Sequence, residues 1–327
     1  MCTGRFRSAL AEGRILVADG AMGTTLFSLG LEGGGCPEFL NVRRPELVGD
    51  VHRRFAEAGS DIVLTNTFGG NARRLALHAA SDRVGELNRA AVDLARRATD
   101  DLGTLVAGSV GPTGDLLVPL GSLTHDAAVA VFSEQIAALV EAGVDVVWIE
   151  TLSSVAELAA AVEAVSGFDV PAVGTMSFDT AGRTMMGVTG TELAEWAHAD
   201  GNLAAIGANC GVGPGDAVAA VFDITEAHPD AIAVAKPNCG MPLYETDRLV
   251  YPIGPEGMSD FVDLALRSGA RIIGTCCGST PEHIAGIRAA VDCHAGEERP
   301  DRAEIEVRLS ARPIAAAGQP QRRRRRG

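Results

Sequence analysis

The sequence predicts a single-domain α/β protein, a closed (β/α)8 barrel with its active site at the carboxyl-terminal rim of the strands. Three observations predict this fold: eight short apolar runs rich in β-branched residues, amphipathic helical patterns between them, and glycine or polar residues directly after each run. The 327 residues, 46% of them apolar, are enough to bury the core of one such barrel. An open doubly wound sheet is the alternative, and the count of eight favours the barrel.

The predicted strands and helices alternate along the chain. The strands cover residues 14–18, 61–65, 104–107, 144–149, 171–176, 203–208, 231–235 and 271–275. Helical patterns lie between them at residues 45–58, 84–99, 126–142, 155–165, 215–227, 257–268 and 281–291. Thr280 followed by Pro281 is typical of a helix start, and Gly59, Gly143 and Gly269 follow the last turns of their helices. The periodicity therefore predicts repeated βα units around a parallel sheet.

The repeating pattern divides the chain into three parts. Residues 12–292 form the predicted barrel, residues 1–11 a lead-in, and residues 293–327 a C-terminal extension. The extension ends in five consecutive arginines at 322–326, which we expect to be disordered because like charges repel and nothing nearby could pack on them. A balance of 42 acidic against 28 basic residues gives a formal charge of -14, which argues against nucleic acid as a partner of the folded body.

The cysteine content and the ends of the chain predict where the protein resides. Seven cysteines is an odd number without disulfide-framework spacing, and the first residues lack the apolar stretch of a signal peptide. No segment approaches the ~18 uninterrupted apolar residues of a membrane span. We therefore expect a soluble, cytoplasmic protein with reduced thiols and no membrane partner. The oligomeric state stays open, and a homo-oligomer is compatible with the sequence.

Three cysteines lie where apolar runs break into glycine. Cys210 follows the sixth strand, and the pair Cys276 and Cys277 follows the eighth. Inward-facing residues of alternate barrel strands share a layer, so three sulfurs could converge on a Zn²⁺ ion at about 2.3 Å. Neighbouring residues of a regular strand point in opposite directions, so the pair requires a backbone turn, which Gly278 makes feasible. The alternative is that each is a small buried hydrophobic residue. Three cysteines together at strand ends favour a metal site.

A zinc ion held by three thiolates suits a thiol substrate better than water. A thiol with an ordinary pKa near ~8.5 becomes a thiolate on zinc and remains nucleophilic. The predicted chemistry is alkyl transfer to a thiol, with no catalytic group beyond the zinc-activated substrate thiolate. Asp19 and Glu150 could hold the ammonium of a thiol amino acid, and backbone N–H groups near Gly20 with the Thr65 hydroxyl could hold its carboxylate. The alternatives are a turn cap for Asp19 and a helix-start charge for Glu150.

Taken together, the motifs at the strand ends resemble the homocysteine S-methyltransferase family. They are Asp-Gly-Ala-Met-Gly-Thr at 19–24, Thr-Asn-Thr-Phe at 65–68, Gly-Ser-Val-Gly-Pro at 108–112, Glu-Thr at 150–151, Gly-Ala-Asn-Cys at 207–210, Lys-Pro-Asn at 236–238 and Cys-Cys-Gly at 276–278. The resemblance covers residues 12–292 and implies a zinc-dependent barrel that methylates homocysteine to methionine. It implies three zinc ligands, Cys210, Cys276 and Cys277. It also implies four homocysteine contacts, Asp19, Gly20, Thr65 and Glu150, and we predict Asn66 as a further one.

The family uses several methyl donors: betaine, S-methylmethionine, S-adenosylmethionine, or methyltetrahydrofolate through cobalamin. This chain contains only the homocysteine barrel, so the cobalamin route would require a separate corrinoid protein. Residues 172–188 are most similar to bacterial proteins described as betaine-homocysteine methyltransferases, so betaine is the predicted donor. A non-catalytic zinc-binding or thiol-binding barrel is a third interpretation, and the residues Asp19, Thr65 and Glu150 argue against it.

A quaternary ammonium such as betaine is usually held against aromatic faces. Animal betaine enzymes carry an aromatic residue directly after the Thr-Phe motif of the second strand, and here that position is Gly69. Only 4% of the residues are aromatic. The candidates for an aromatic cage are Phe27, Phe68, Phe178, Trp148, Tyr244 and Tyr251.

Overall fold

The computed structural model describes residues 3–245, 248–296 and 298–309, and this part of the chain contains twelve strands. They are β1 (Leu16–Val17), β2 (Ile62–Leu64), β3 (Leu105–Val110), β4 (Val146–Leu152), β5 (Ala172–Met176), β6 (Phe178–Thr180), β7 (Arg183–Thr184), β8 (Ala205–Cys210), β9 (Ala233–Pro237), β10 (Leu243–Glu245), β11 (Arg248–Val250) and β12 (Ala270–Ile273). Eight of them form one sheet in the order β1-β12-β9-β8-β5-β4-β3-β2. A parallel bridge between Ala18 and Ile62 joins β1 to β2 and closes the barrel.

All eight predicted strands are present, and the predicted (β/α)8 barrel is confirmed. Every pairing within the barrel is parallel. The other four strands form two antiparallel hairpins, β6–β7 and β10–β11, which the sequence reading did not predict. Each hairpin follows a barrel strand, β5 and β9 respectively, so both project from the carboxyl-terminal rim.

The described residues contain thirteen α-helices. They are α1 (Thr3–Ala11), α2 (Met22–Ser28), α3 (Leu40–Arg43), α4 (Pro45–Glu57), α5 (Ala72–Ala76), α6 (Val84–Thr99), α7 (His125–Glu141), α8 (Val155–Ser166), α9 (Gly190–Ala199), α10 (Pro214–Ala227), α11 (Met258–Arg267), α12 (Pro281–Cys293) and α13 (Arg302–Leu309). The seven predicted helices are found, and Gly59, Gly143 and Gly269 follow helix ends with φ of +108°, +91° and +99°. Helix α9 was not predicted, although Thr189 and Glu192 form a capping box at its start.

The core has two layers. The outer layer lies between the barrel strands and the surrounding helices. The inner layer fills the barrel with apolar side chains such as Leu16, Ile62 and Trp148, and helix α1 adds Phe6 and Leu10 to it. The predicted lead-in at 1–11 therefore contains a helix that packs on the barrel interior. Burying a side chain such as Phe6 stabilises the fold by about 1.5–3 kcal/mol.

Part of the predicted C-terminal extension is folded. Helix α13 buries Ile305 and packs near α10 and α11, and Arg267 makes an ion pair of 2.6 Å with Glu304. The arginine run at 322–326 lies outside the described residues. Among the helices of the described part, none has the length and apolar character needed to cross a membrane.

Candidate metal centre and substrate pocket

The fold brings the three predicted cysteines together. Cys210 is the last residue of β8, and Cys276 and Cys277 follow β12, with β9 between these two strands. The sulfurs of Cys210 and Cys276 are 2.9 Å apart, and all three lie within 4.8 Å of one another. Within the described residues this is the one cluster of three or more His, Cys, Asp or Glu side chains close enough to share a metal ion. A tetrahedral zinc ion with bonds of about 2.3 Å holds its sulfur ligands about 3.8 Å apart. The cluster has the overall size of such a site, and the sulfurs of Cys210 and Cys276 would separate from 2.9 Å on metal binding.

The backbone turns that bring the adjacent cysteines to one side lie beyond the regular strand. Strand β12 ends at Ile273, Cys276 N–H donates to the Pro237 carbonyl at 2.6 Å, and Gly278 adopts a φ of +85°. Cys210 itself has a φ of +55°, which costs free energy in a residue other than glycine. The cluster of three cysteines therefore depends on two turns with positive φ, one at Cys210 and one at Gly278. The sequence indicated the second turn through its glycine.

Asn238 joins the two cysteine loops. Its Oδ1 accepts a hydrogen bond of 2.9 Å from Cys277 N–H, and its Nδ2 donates one of 2.7 Å to the Gly211 carbonyl. Its own N–H donates to the Cys210 carbonyl at 3.1 Å. One side chain thus fixes the spacing of loops 66 residues apart in sequence. Asn238 belongs to the Lys-Pro-Asn motif, but the motif does not predict this bridging role.

Hydrogen bonds among the sulfurs set their protonation. The thiols of Cys210 and Cys276 donate toward Cys277 and lower its pKa to about 3. The hydrogen bond with Cys210 lowers the pKa of Cys276, but its bond to Cys277 and burial outweigh this and raise that pKa to about 11. The same sulfur–sulfur bonds raise the pKa of Cys210. A metal ion binding there would require the sulfurs to be deprotonated, so its binding would release protons from the cluster.

Asp19 and Glu150 lie at the floor of the same pocket, as predicted from the sequence. Asp19 follows β1 and is buried, and its Oδ2 accepts a hydrogen bond of 2.8 Å from Leu64 N–H while its Oδ1 has no hydrogen-bond partner. Burial raises the pKa of both carboxyls to about 7, and the nearby ammonium of Lys236 opposes that rise. These two carboxyls lie next to the sulfur cluster, and in their ionised form they could serve as anionic partners for a substrate ammonium.

Thr65 lies in the pocket, but its hydroxyl proton is already engaged. Thr67 Oγ1 donates to the Ser109 carbonyl at 2.6 Å, so the 2.7 Å bond between the two threonine hydroxyls uses the Thr65 proton. Thr65 Oγ1 also accepts from Ser109 N–H at 3.1 Å. In this arrangement Thr65 offers the pocket a remaining acceptor site and no free donor.

Gly20 and Asn66 also line the pocket. A Cβ atom at Gly20 would collide with Ser279 Oγ and would lie 2.6 Å from the Phe55 ring, so only glycine fits there. The two amide hydrogens of Asn66 are used by the Pro37 carbonyl and by Asn41 Oδ1, at 2.8 and 2.9 Å. Asn66 therefore holds its own loop in place, and its predicted contact with substrate stays a prediction.

A further asparagine holds Glu150 and its neighbour in position. Asn209 Nδ2 donates to Thr151 Oγ1 at 2.7 Å and lies 3.4 Å from Glu150 Oε2, while its Oδ1 accepts from Thr151 N–H at 2.8 Å. Thr151 has a φ of +63°, a strained conformation for a β-branched residue. The other oxygen of Glu150 accepts a bond of 2.5 Å from Ser109 Oγ. The sequence did not predict the roles of Asn209 and Ser109, because the order of residues in a motif does not show which side chain a polar group contacts in the folded protein.

The pocket above these residues has a volume of about 450 Å³. Two of the six aromatic candidates line it, the partly exposed Phe27 and Phe68. Glu38 is buried beside them, and its Oε1 accepts a hydrogen bond of 2.7 Å from Gly69 N–H. A Cβ at Gly69 would lie 3.0 Å from the same oxygen, so the glycine gives the carboxylate room. Trp148 is buried inside the barrel and Phe178 is buried outside this pocket.

The pocket combines soft metal ligands, carboxylates and aromatic side chains. Three sulfurs suit a thiophilic ion such as zinc, and a thiol entering the pocket could reach that ion as a further ligand. The carboxylates favour cationic groups in the same small volume. This arrangement can bind a thiol amino acid and a second, cationic molecule together.

Comparisons with known proteins agree with this description. Residues 16–291 match the family described as homocysteine S-methyltransferase. The chain is 32% identical to the methionine synthases of Mycobacterium tuberculosis and Mycobacterium leprae, over 88% and 85% of its length. It spans about a quarter of the length of these relatives. The crystal structure of the metallated homocysteine methyltransferase MmuM from Escherichia coli has a TM-score of 0.73 and 25% identity, covering 87% of this chain and 99% of that one.

Proposed function

Because the chain belongs to the homocysteine S-methyltransferase family, we propose that it transfers a methyl group to the thiol of homocysteine and so forms methionine. The observation that carries the proposal is the convergence of three sulfurs with Asp19 and Glu150 on the floor of one pocket. Homocysteine carries both groups this floor is suited to bind, a thiol and an ammonium. We also propose a cytoplasmic location, because the described cysteines are free and the cluster requires reduced thiols.

In this proposal Cys210, Cys276 and Cys277 hold a Zn²⁺ ion, as the donor set and its dimensions support. When bound, the ion would supply a Lewis-acidic centre that keeps the substrate sulfur deprotonated and nucleophilic. The side chains of the pocket position the substrate. Asp19 and Glu150 bind the substrate ammonium, which fixes the direction of the sulfur–carbon chain toward the cysteines.

The proton balance needs no general base on the protein. The substrate thiol loses its proton to solvent on binding, its sulfur forms a bond to the donor methyl, and the bond between that methyl and the donor heteroatom breaks. A cationic donor leaves as a neutral group at that atom, and the buried carboxylates favour the cation before transfer. The product is a thioether, which binds zinc less strongly than a thiolate does.

We propose betaine as the methyl donor. Phe27 and Phe68 support this choice because they can present ring faces to a quaternary ammonium. Glu38 supports it further, because a buried carboxylate stands beside Gly69, where animal betaine enzymes carry an aromatic side chain. In this pocket the cation would be recognised by charge as well as by aromatic contact.

A different donor would leave the homocysteine site unchanged. S-Methylmethionine and S-adenosylmethionine are also onium compounds, and Glu38 would favour their sulfonium charge in the same way. The second candidate is delivery of the methyl group by a separate corrinoid protein, one of the routes that the resemblance to the family implies; the chain matches about a quarter of the length of relatives described as methionine synthases.

The test is methionine formation by the purified protein from homocysteine with each donor in turn, with and without added zinc. We expect turnover with betaine that requires zinc. Turnover only with a sulfonium donor would replace betaine, and turnover only after addition of a methylated corrinoid protein would establish the second candidate. Zinc binding without methionine from any of these sources would refute the catalytic proposal.

A further inference from the structure

An arginine without an ionic partner lies in the wall of the substrate pocket. Arg74 lines the pocket from α5, the short helix that follows β2 and the loop carrying Phe68. It is half-buried, and its guanidinium makes no ion pair or hydrogen bond within the part of the chain that the structure describes. A guanidinium has five N–H donors and no acceptor. This wall of the pocket therefore holds a cation whose hydrogen-bonding capacity is unused.

The fold fixes the segment from which the Arg74 side chain extends. Asn71 caps α5, because its Oδ1 accepts a hydrogen bond of 3.0 Å from Arg74 N–H, and its Nδ2 donates to the Pro112 carbonyl at 3.3 Å. Leu75 is fully buried and anchors the helix. The guanidinium lies beside Gly114, where an added Cβ would be 3.1 Å from its Nη1. Arg74 is thus held where the loops after β2 and β3 meet.

The preceding residue shows the contrast. Arg73 is exposed, makes an ion pair of 2.8 Å with Asp115, and does not line the pocket. Two consecutive arginines of one helix therefore differ in their partners: a carboxylate of the protein neutralises Arg73, and no carboxylate among the described residues does so for Arg74. The charge of Arg74 is left for a ligand that enters the pocket.

Two carboxylates enter this pocket in the proposed reaction, one on homocysteine and one on betaine. Backbone N–H groups near Gly20, at the floor, are the predicted partners of the first. The quaternary ammonium of betaine is assigned to Glu38 and to the aromatic rings, and Glu38 accepts its hydrogen bond from Gly69, on the same loop as Phe68. Arg74 follows that loop directly, so the wall that suits the cation of the donor also carries a free guanidinium.

We propose that Arg74 binds the carboxylate of the methyl donor, so that the pocket selects onium compounds that also carry a carboxylate. A guanidinium can pair with a carboxylate through two parallel N–H···O bonds, while Glu38 and Phe68 receive the onium group. This inference rests on the proposed function and narrows its donor class. Betaine and S-methylmethionine have both groups, whereas tetramethylammonium lacks the one that Arg74 recognises.

The test is calorimetric titration of the zinc-loaded protein with three small molecules. Betaine carries both charges, tetramethylammonium only the cation, and 3,3-dimethylbutanoate only the carboxylate, with a neutral tert-butyl group in place of the quaternary ammonium. Arg74→Met should weaken betaine and 3,3-dimethylbutanoate by about 10- to 100-fold, the effect of losing hydrogen bonds to a charged group, and should not weaken tetramethylammonium. Glu38→Gln should weaken betaine and tetramethylammonium and should not weaken 3,3-dimethylbutanoate.

Arg73→Met is the matched control, because it removes the neighbouring arginine outside the pocket, and it should leave all three affinities unchanged. Arg74→Lys keeps the charge without the paired bonds and should restore part of the betaine affinity. In the unaltered protein 3,3-dimethylbutanoate should compete with betaine, with and without homocysteine. The proposal is overturned by an absence of competition, by equal weakening or no weakening of all three molecules in Arg74→Met, or by failure of both betaine and S-methylmethionine to bind.

Methionine formation from homocysteine and betaine is assayed separately on the same preparations. Arg74→Met should raise the KM for betaine by about 10- to 100-fold and leave the KM for homocysteine unchanged. Carboxylate-dependent binding of betaine without any methionine would refute the proposed function alone. Methionine formation from betaine with an unchanged KM in Arg74→Met would refute the role of Arg74 alone.

Discussion

The sulfur of Cys210 lies 2.9 Å from the sulfur of Cys276, although 66 positions separate the two residues in the chain. The contact exists because Cys210 ends β8 and Cys276 follows β12, on either side of β9 in the barrel. Buried thiols this close repel one another once they ionise, and a bound cation offsets that repulsion. The relationship therefore leads to a direct prediction about metal content.

Replacing Cys276 by alanine should remove zinc and methyl transfer together. The change deletes one of the three proposed ligands, and two thiolates with water hold zinc far more weakly than three. The measurement is zinc per protein chain by elemental analysis, with methionine formation on the same samples. Cys293→Ala is the matched control because Cys293 is exposed at the end of α12, and it should keep both. Full activity in the Cys276 variant would sink the mechanism.

Asn238→Ala should loosen the metal without removing a ligand. The side chain joins Cys277 N–H to the Gly211 carbonyl, so its loss frees the two cysteine loops to move apart. Loss of a group that orients metal ligands typically costs about 10- to 100-fold in metal affinity. Competition with a chromophoric chelator measures this affinity. An unchanged zinc affinity would show that the loops hold their spacing without Asn238.

Binding of the amino acid should strengthen as pH rises from 6 to 8. The pKa values of Asp19 and Glu150 are raised to about 7, so each carboxyl is mostly neutral below that pH and charged above it. Methionine is the suitable ligand for calorimetry because its own groups do not titrate in this range. One required deprotonation changes affinity by up to about tenfold per pH unit below the pKa. The Asp19→Asn and Glu150→Gln variants should each flatten the profile, and a profile that falls with pH contradicts this assignment.

Glu38→Gln should raise the KM for betaine with little change in the KM for homocysteine. The carboxylate lines the pocket beside Gly69, whereas the proposed homocysteine contacts Asp19 and Glu150 lie next to the cysteine cluster. Removing one charge next to a cation in a partly buried site should raise that KM by about tenfold, as expected for the loss of a charge-assisted interaction. Initial-rate kinetics with each substrate varied separately give both constants. An equal rise in both would place Glu38 in a structural role.

His52→Leu should protect the fold against acid. His52 is buried on α4 and neither ring nitrogen has a hydrogen-bond partner, and burial lowers its pKa from 6.5 to about 4. His52 therefore binds a proton less readily in the folded state than in the unfolded chain. The contribution of His52 to the free energy of unfolding is fully present above pH 6.5. It falls by about 3 kcal/mol as the pH drops toward 4, because each unit of pKa shift corresponds to about 1.36 kcal/mol. Denaturant unfolding at pH 7 and pH 4.5 measures the difference. If both proteins lose stability equally, His52 does not cause the loss.

Several features of the site followed from the sequence because they depend on local patterns. Apolar runs at regular spacing predicted the eight strands, and the glycine or polar residues after the runs predicted the rim that carries the site. The position of Gly278 even predicted the turn that lets Cys276 and Cys277 reach one cluster. The chain has a single lysine, and its uniqueness was the signal that could have identified Lys236 as a residue of the pocket.

Other features could not be read from the sequence because they arise between distant segments. The bridge from Asn238 to the Cys210 loop, and the use of the Thr65 proton by Thr67, depend on which backbone groups the folded chain brings within 3 Å. The same holds for Glu38, whose carboxylate occupies space that Gly69 leaves open.

The sequence by itself determined the barrel, the family and the three cysteines that meet in one cluster, because strand periodicity and the chemistry of cysteine are properties of short segments. Only the tertiary structure decided the state of the pocket floor: which hydroxyls still have a proton, which carboxylate oxygen is free, and that Lys236 stands beside it. Hydrogen-bond capacity is shared among neighbours in space, so it is fixed only when the fold has chosen those neighbours.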